Sequence, residues 1–274
     1  MRKLILLLVL IGLSVGIGYS LAKDSFWQKK NVNQDEVVAK KPLLRFALVS
    51  DSEGENELLE KALAQAEGAG INFVIGLGDW TNVGTMETLT SAKKVFDNSK
   101  LEYFMTAGDH DLWDSRNEGK APPFNFNQVF GDASRLIERN GIQIVLLDNS
   151  DIYKGIDSGS WSLVTGSLSK PAKLHFVMVH KTPFHPESRH VMGSENAQVA
   201  DQANQFMQLL EERKVDGFFS GDLHFFAQFK SPSEAVKITT VGAVASEKNF
   251  QGPRFAIVTV WEDYSWEVED VEIR

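Results

Sequence analysis

Five segments of this chain place acids or histidines directly after short apolar runs. They are Asp51-Ser52-Glu53, Gly78-Asp79, Gly108-Asp109-His110-Asp111, His180 and Gly221-Asp222-Leu223-His224. The runs before them, residues 43–49, 73–75, 103–106, 174–179 and 218–219, have the length and apolar content of buried β-strands. Loops that leave the carboxyl ends of strands in an open α/β sheet converge on one crevice. One such acid means little. Five loops together would assemble oxygen and imidazole ligands suited to divalent cations. The chain has no cysteine, so a metal here must be held by oxygen and nitrogen.

The elements that would position these loops follow an order. Residues 55–69 put Leu58, Leu59, Ala62, Leu63 and Ala66 at helical spacing, and residues 85–96 predict a second helix. Strand alternating with helix indicates βαβ units and a mainly parallel sheet. From about residue 135 the pattern changes: residues 136–147 read as two strands around an Asn140-Gly141 hairpin turn. A helix over 197–213 follows. The C-terminal third, with runs at 226–229, 236–241, 254–261 and 266–272, predicts antiparallel strands. Two mixed sheets packed face to face with helices outside, a four-layer α/β/β/α sandwich, would bury all of this.

In order and flanking strands, the motif set resembles the calcineurin-like metallophosphoesterases over about residues 43–245. That family's pattern is Asp-x-His, Gly-Asp-x-x-Asp/Asn, Gly-Asn-His-Asp/Glu, His and Gly-His-x-His. The resemblance implies two divalent ions roughly 3.5–4 Å apart, bridged by Asp79, with a hydroxide held between them attacking phosphorus in line. By position, Asp51, Asp79 and His224 would hold the first ion, with Glu53 where the family has His. Asp79 and His180 would hold the second, with Asp109 in place of Asn and Asp222 in place of His. His110 would contact phosphate or protonate the leaving oxygen, Asp111 would orient His110, and Asn82 would brace its loop.

Three departures, Glu53, Asp109 and Asp222, all add carboxylate. With five ionised carboxylates, two divalent ions leave the site one charge negative, whereas the family's two carboxylates leave it two charges positive. Such ligation shifts preference from zinc toward Mn²⁺, Mg²⁺ or Ca²⁺. Mn²⁺ or Mg²⁺ is expected, with Fe or Zn as alternatives. The loop after His180 carries His185, Arg189 and His190, which are candidates to line a substrate pocket. His175, five residues before His180 in the same strand, faces the other side of the sheet.

The N-terminus carries Arg2 and Lys3, an apolar run from Leu4 to about Ile17, and Ser20-Leu21-Ala22 at the spacing of a cleavage site. Residues 1–22 are read as a signal peptide or an uncleaved anchor, 23–42 as a polar tether, and 43–274 as the metallophosphoesterase-like domain. Either reading of the leader puts the domain outside the cytoplasm, secreted or membrane-anchored through residues 4–22. The 28 basic and 37 acidic residues give a net charge of −9. That balance argues against nucleic acid and against anionic membrane as partners. It leaves room for a small phosphorylated substrate drawn in by bound metal.

The expected function is therefore an exported, metal-dependent hydrolase of phosphate mono- or diesters. The alternative is a non-catalytic relative that binds cation, or a ligand through cation, in the carboxylate-rich pocket. A nucleophilic Asp51 is disfavoured: Asp51-x-Glu53 is superficially similar to the haloacid-dehalogenase motif, but Gly54 replaces the Thr or Val that usually follows. The one Gly-x-Ser-x-Gly match, Gly12 to Gly16, lies inside the apolar leader and not after a strand, so it does not read as a nucleophile elbow.

Overall fold

Apolar residues alternate in and out along the central strands, and this alternation builds three separate cores. The computed structural model describes residues 40–274; the leader and all but the end of the tether lie outside the described residues. Among those described, Lys41–Arg274 form one unit, and no helix is long and apolar enough to cross a membrane. The first sheet has the order β11-β10-β1-β2-β3. Its strands are β1 (Pro42–Val49), β2 (Phe73–Gly76), β3 (Glu102–Met105), β10 (Arg254–Trp261) and β11 (Trp266–Glu272). The second has the order β4-β5-β6-β7-β9-β8, from β4 (Arg135–Arg139), β5 (Ile142–Leu146), β6 (Leu174–Val179), β7 (Gly217–Ser220), β8 (Ala227–Lys230) and β9 (Lys237–Thr240).

Phe46 and Leu48 of β1 face the second sheet with Phe73, Ile144, Phe176, Met178 and Phe219, whereas Ala47 and Val49 face outward. Helices α1 (Asn56–Gly68) and α2 (Met86–Asn98) cover that outer face through Leu59, Leu63, Leu89 and Phe96. Helices α5 (Ser158–Ser167) and α6 (Ala197–Glu212) cover the second sheet through Val164, Val199, Phe206 and Leu210. The α/β/β/α order follows from this two-residue alternation. The helices start where side chains can satisfy free N–H groups: Asp157 accepts from the N–H of Gly159 and Ser160, and Asn196 from those of Gln198 and Val199.

The hairpin forms where the Asn-Gly pair predicts it, with Arg139 opposite Ile142 and both Asn140 and Gly141 at positive φ. The C-terminal third departs from expectation because it is divided between the sheets. β10 pairs antiparallel with β1, while β9 joins the second sheet parallel to β7. The short helices α3 (Trp113–Asn117) and α4 (Phe124–Phe130), and α5, were not anticipated. Their segments are short or rich in Ser, Asn and Gly, with weak periodicity.

Sheet register fixes where the loops emerge. Val49 lies beside Gly76 and Gly76 beside Met105, while Val179 lies beside Ser220. Parallel strands that end level with one another deliver their following residues to one rim.

Phe176 sits at the middle of the inter-sheet core, fully buried, its ring edge-on to Phe219 at 5.6 Å and to Trp266 at 5.3 Å. Phe176→Ala is expected to lower unfolding free energy by about 3–5 kcal/mol, read from urea denaturation followed by far-UV circular dichroism.

Candidate metal centre

All five segments meet at the rim. Asp51, Glu53, Asp79, His180, Asp222 and His224 are buried, and Asp109 and His110 are partly so. Five of these residues hold a left-handed backbone: Glu53 at φ 43°, Asp51 at 54°, Asp79 at 56°, His224 at 59° and Asp222 at 65°. Such a conformation is uncommon outside glycine and costs of order 1 kcal/mol or more each. It turns each chain back over its strand end. Backbone bonds lace the turns together: Asp51 N–H donates to the Gly78 carbonyl and Glu53 N–H to the Asp79 carbonyl, both at 2.9 Å. The Asp222 N–H lies 3.2 Å from each oxygen of the Asp51 carboxylate. Asn82 braces the Glu53 loop by donating from Nδ2 to the Glu53 carbonyl at 2.8 Å.

Two glycines are explained by proximity, and neither is explained by turn geometry. Neither Gly108 nor Gly221 has positive φ. A Cβ at Gly108 would collide with the Asp79 carboxylate, and one at Gly221 with Ser50 Oγ while crowding Asp51. Their missing side chains make room for the ligands themselves.

Ligand atoms of Asp51, Asp79 and His180 lie within 4.8 Å of one another, as do those of Glu53, Asp79 and His110, and those of Asp109, His180 and Asp222. Asp79 thus belongs to two of the three groups. His180 Nδ1 donates to the Leu77 carbonyl at 2.7 Å, which directs Nε2 toward Asp109 (3.3 Å), Asp79 (3.4 Å) and Asp222 (3.6 Å). This backbone partner is the arrangement that orients a metal-binding imidazole. His224 Nε2 lies 3.3 Å from Glu53 Oε1 and 3.7 Å from Asp51 Oδ1. Glu53 Oε1 and Asp222 Oδ2 are buried and accept no hydrogen bond. Buried carboxylate oxygens without a donor are costly, and a cation would satisfy them. Glu53 Oε1 lies in the half formed with Asp51, Asp79 and His224, and Asp222 Oδ2 in the half formed with Asp109 and His180, so each half leaves one buried oxygen open to a cation.

The Asp222 half contains a residue that the sequence reading missed. Lys181 is 2% exposed, and its Nζ lies 2.7 Å from Asp222 Oδ1 and 3.1 Å from Asp109 Oδ1. Burial alone would depress the lysine ammonium, but Asp222 and Asp109 outweigh it and hold its pKa above the ordinary lysine value. The same pairing acts on the acids. Burial opposes ionisation of Asp222, yet Lys181, His190 and His180 bring its carboxyl down to about 2. Asp109 is held well below the usual range, against burial, by His180 and Lys181. One signal was available in the sequence: a lysine beside a ligand, in a site with surplus negative charge.

Asp111 requires a correction. It does not orient His110, because its oxygens are committed elsewhere. Oδ1 accepts from the N–H of Trp80 (3.0 Å) and Thr81 (3.2 Å) and lies 3.3 Å from Thr81 Oγ1, while Oδ2 accepts from Gly108 N–H (3.0 Å). Asp111 pins the second and third loops together. His110 is instead held by its ring Nδ1, 3.1 Å from the Asn82 carbonyl, and by stacking on Trp113 at 4.2 Å, while its backbone N–H donates to Asp79 Oδ1 at 3.0 Å. Of the loop after His180, His190 reaches the site, with Nε2 3.2 Å from Asp222 Oδ1. His185 does not: its Nδ1 accepts from Glu187 and Ser188, and its ring packs on Phe225 and Phe229.

Comparison with known proteins identifies the family and the fold. The family model for calcineurin-like phosphoesterases matches residues 44–226. The chain belongs to the calcineurin-like phosphoesterase family. No curated protein matches it. Among solved structures, it is similar to the purple acid phosphatase PPD1 from yellow lupin (Lupinus luteus) seeds, with TM-score 0.63 and 12% identity over 84% of this chain and 51% of that one. The chain thus spans about half the length of the lupin protein. GAP50, the anchor in the inner membrane complex of Plasmodium, gives TM-score 0.57 and 14% identity over 85% and 90% of the two chains. TT1561 of Thermus thermophilus gives 0.55 and 12% over 85% and 100%. At these identities the likeness is one of fold.

Burial pushes the Asp51 carboxyl up to about 6, with His224 and His180 opposing and Asp79 adding to the rise. An ion must displace that proton. Mn²⁺ affinity is therefore expected to fall at least tenfold per pH unit below about pH 6, as read by titration calorimetry. Affinity unchanged down to about pH 5 would contradict the buried, proton-competent Asp51.

Proposed function

We propose that this chain is an exported, metal-dependent phosphoric ester hydrolase acting on phosphate mono- or diesters. The observation that carries the reading is the convergence of Asp51, Asp79 and His180, fully or almost fully buried, with Asp79 shared between two ligand groups. Asp51, Glu53, Asp79 and His224 are the residues that would hold a divalent ion, with Mn²⁺ or Mg²⁺ best suited to so many carboxylates. When bound, such an ion supplies Lewis acidity toward a phosphoryl oxygen and eases deprotonation of water.

The side chains supply the rest. Asp79 is fixed by the His110 N–H, so the loop that carries the candidate acid also aligns a ligand. With Nδ1 donating to the Asn82 carbonyl, His110 keeps Nε2 as the free ring nitrogen, able to carry a proton to the leaving oxygen. Trp113 limits the ring's freedom to swing away. Asp111 keeps the backbone of Trp80, Thr81 and Gly108 in place beneath. Export is supported by the basic residues 2–3 and the apolar run that follows.

A second reading, a cation-binding relative without turnover, is favoured by one observation: Lys181 already occupies Asp109 and Asp222. The two readings separate in one experiment. Metal-stripped protein is titrated with Mn²⁺ against a chromogenic phosphodiester and monoester. Turnover that rises with Mn²⁺ supports the hydrolase; Mn²⁺ bound with no turnover on either ester selects the second reading. Asp79→Asn is expected to lose bound Mn²⁺ and turnover together while circular dichroism stays unchanged. Full metal content in that variant would remove Asp79 from the ligand set.

A further inference from the structure

The two acids that distinguish the second half of the site share one partner. Asp109 and Asp222 stand where the family pattern has Asn and His, and both place an oxygen on Lys181 Nζ, at 3.1 and 2.7 Å. Asp109 Oδ1 and Asp222 Oδ1 are also the oxygens closest to His180 Nε2 among these two residues' contacts, at 3.3 and 3.6 Å. A second divalent ion held by Asp109, His180 and Asp222 would have to share Asp109 Oδ1 and Asp222 Oδ1 with Lys181, or take the open Asp222 Oδ2 directly beside the ammonium. A lysine at 2% exposure, in turn, cannot stay charged without buried counter-charges.

The three residues therefore make chemical sense only as a unit. Neutral Asn and His need no counter-ion when their metal is absent, whereas two buried aspartates do. One ammonium supplies one of those counter-charges permanently, with the His180 and His190 imidazoles beside the same oxygens. An ion sharing both Oδ1 oxygens would have to approach them to about 2.0–2.2 Å, beside an ammonium within hydrogen-bond distance of each, against direct repulsion.

We propose that Lys181 is the resident cation of the second half of this site, standing in for one of the two divalent ions, so that the chain binds a single ion among Asp51, Glu53, Asp79 and His224. The proposal rests on the metal-dependent reading above and alters its stoichiometry. Lys181 acts here as a positioning residue: it fixes Asp109 and Asp222 and is buried too deeply to meet substrate.

The test is a metal count with a spectroscopic signature. Metal-stripped protein is dialysed to equilibrium against Mn²⁺, bound ions are counted by mass spectrometry, and the electron paramagnetic resonance spectrum is recorded. One ion per wild-type chain, with the six-line spectrum of isolated Mn²⁺, is expected. Lys181→Met removes the ammonium at similar volume and frees both aspartates. Its count should double, and its spectrum should show the exchange coupling of ions roughly 3.5–4 Å apart.

Two coupled ions in the wild-type protein overturn the assignment of Lys181 and leave metal dependence standing. One ion in both proteins overturns it as well. No ion in either overturns the metal-dependent reading, and the proposal with it. Should the Met variant fail to fold, the wild-type count and spectrum decide alone.

Discussion

Five carboxylates gathered in a nearly dry pocket repel one another, and the architecture around the rim answers that repulsion. Asp51 receives the Asp222 N–H, Asp79 receives the His110 N–H, and Asp109 and Asp222 share Lys181. Where no donor is supplied, as at Glu53 Oε1, the buried oxygen is left for a cation. Fold and chemistry are thus linked by charge. The strands bring the acids together, and the acids require what the strands leave open.

The two sheets meet at this point through a polar contact as well as an apolar core. His180 directly follows β6 in one sheet, and its Nδ1 bonds the carbonyl of Leu77, just past β2 in the other. The contact orients the imidazole and fixes how the two rims face each other. Around it, parallel strands end level within each sheet, so the loops of each sheet start from one edge. Behind it, Phe46, Phe73, Phe176 and Phe219 fill the gap between the sheets.

Much of this was legible in the sequence because it is local. An apolar run followed by Gly-Asp or His announces a strand end, and the Asn140-Gly141 pair announces its hairpin. Metal-ligating residue types and their order could be read in the same way. What escaped reading depends on contacts between distant segments. Pairing of β10 with β1 joins residues more than 200 positions apart, and no local pattern specifies it. Asp111 looked like a partner for the adjacent His110, but its preferred donors are backbone N–H groups about 30 residues earlier. Lys181 looked like an ordinary residue following a ligand. Its meaning appears only when Asp109 and Asp222, some 72 and 41 positions away, are placed on its ammonium.

The left-handed turns at Asp51, Glu53, Asp79, Asp222 and His224 also narrow how this site can change. Glycine would relax each backbone but remove the ligand. A β-branched residue would sit badly in that conformation whatever its chemistry. Asp and Asn accept it most readily among side chains with a coordinating oxygen. Substitution at these positions is thereby channelled toward Asp, Asn and His, and four of the five are already Asp or His. The backbone filters which substitutions the chemistry is offered.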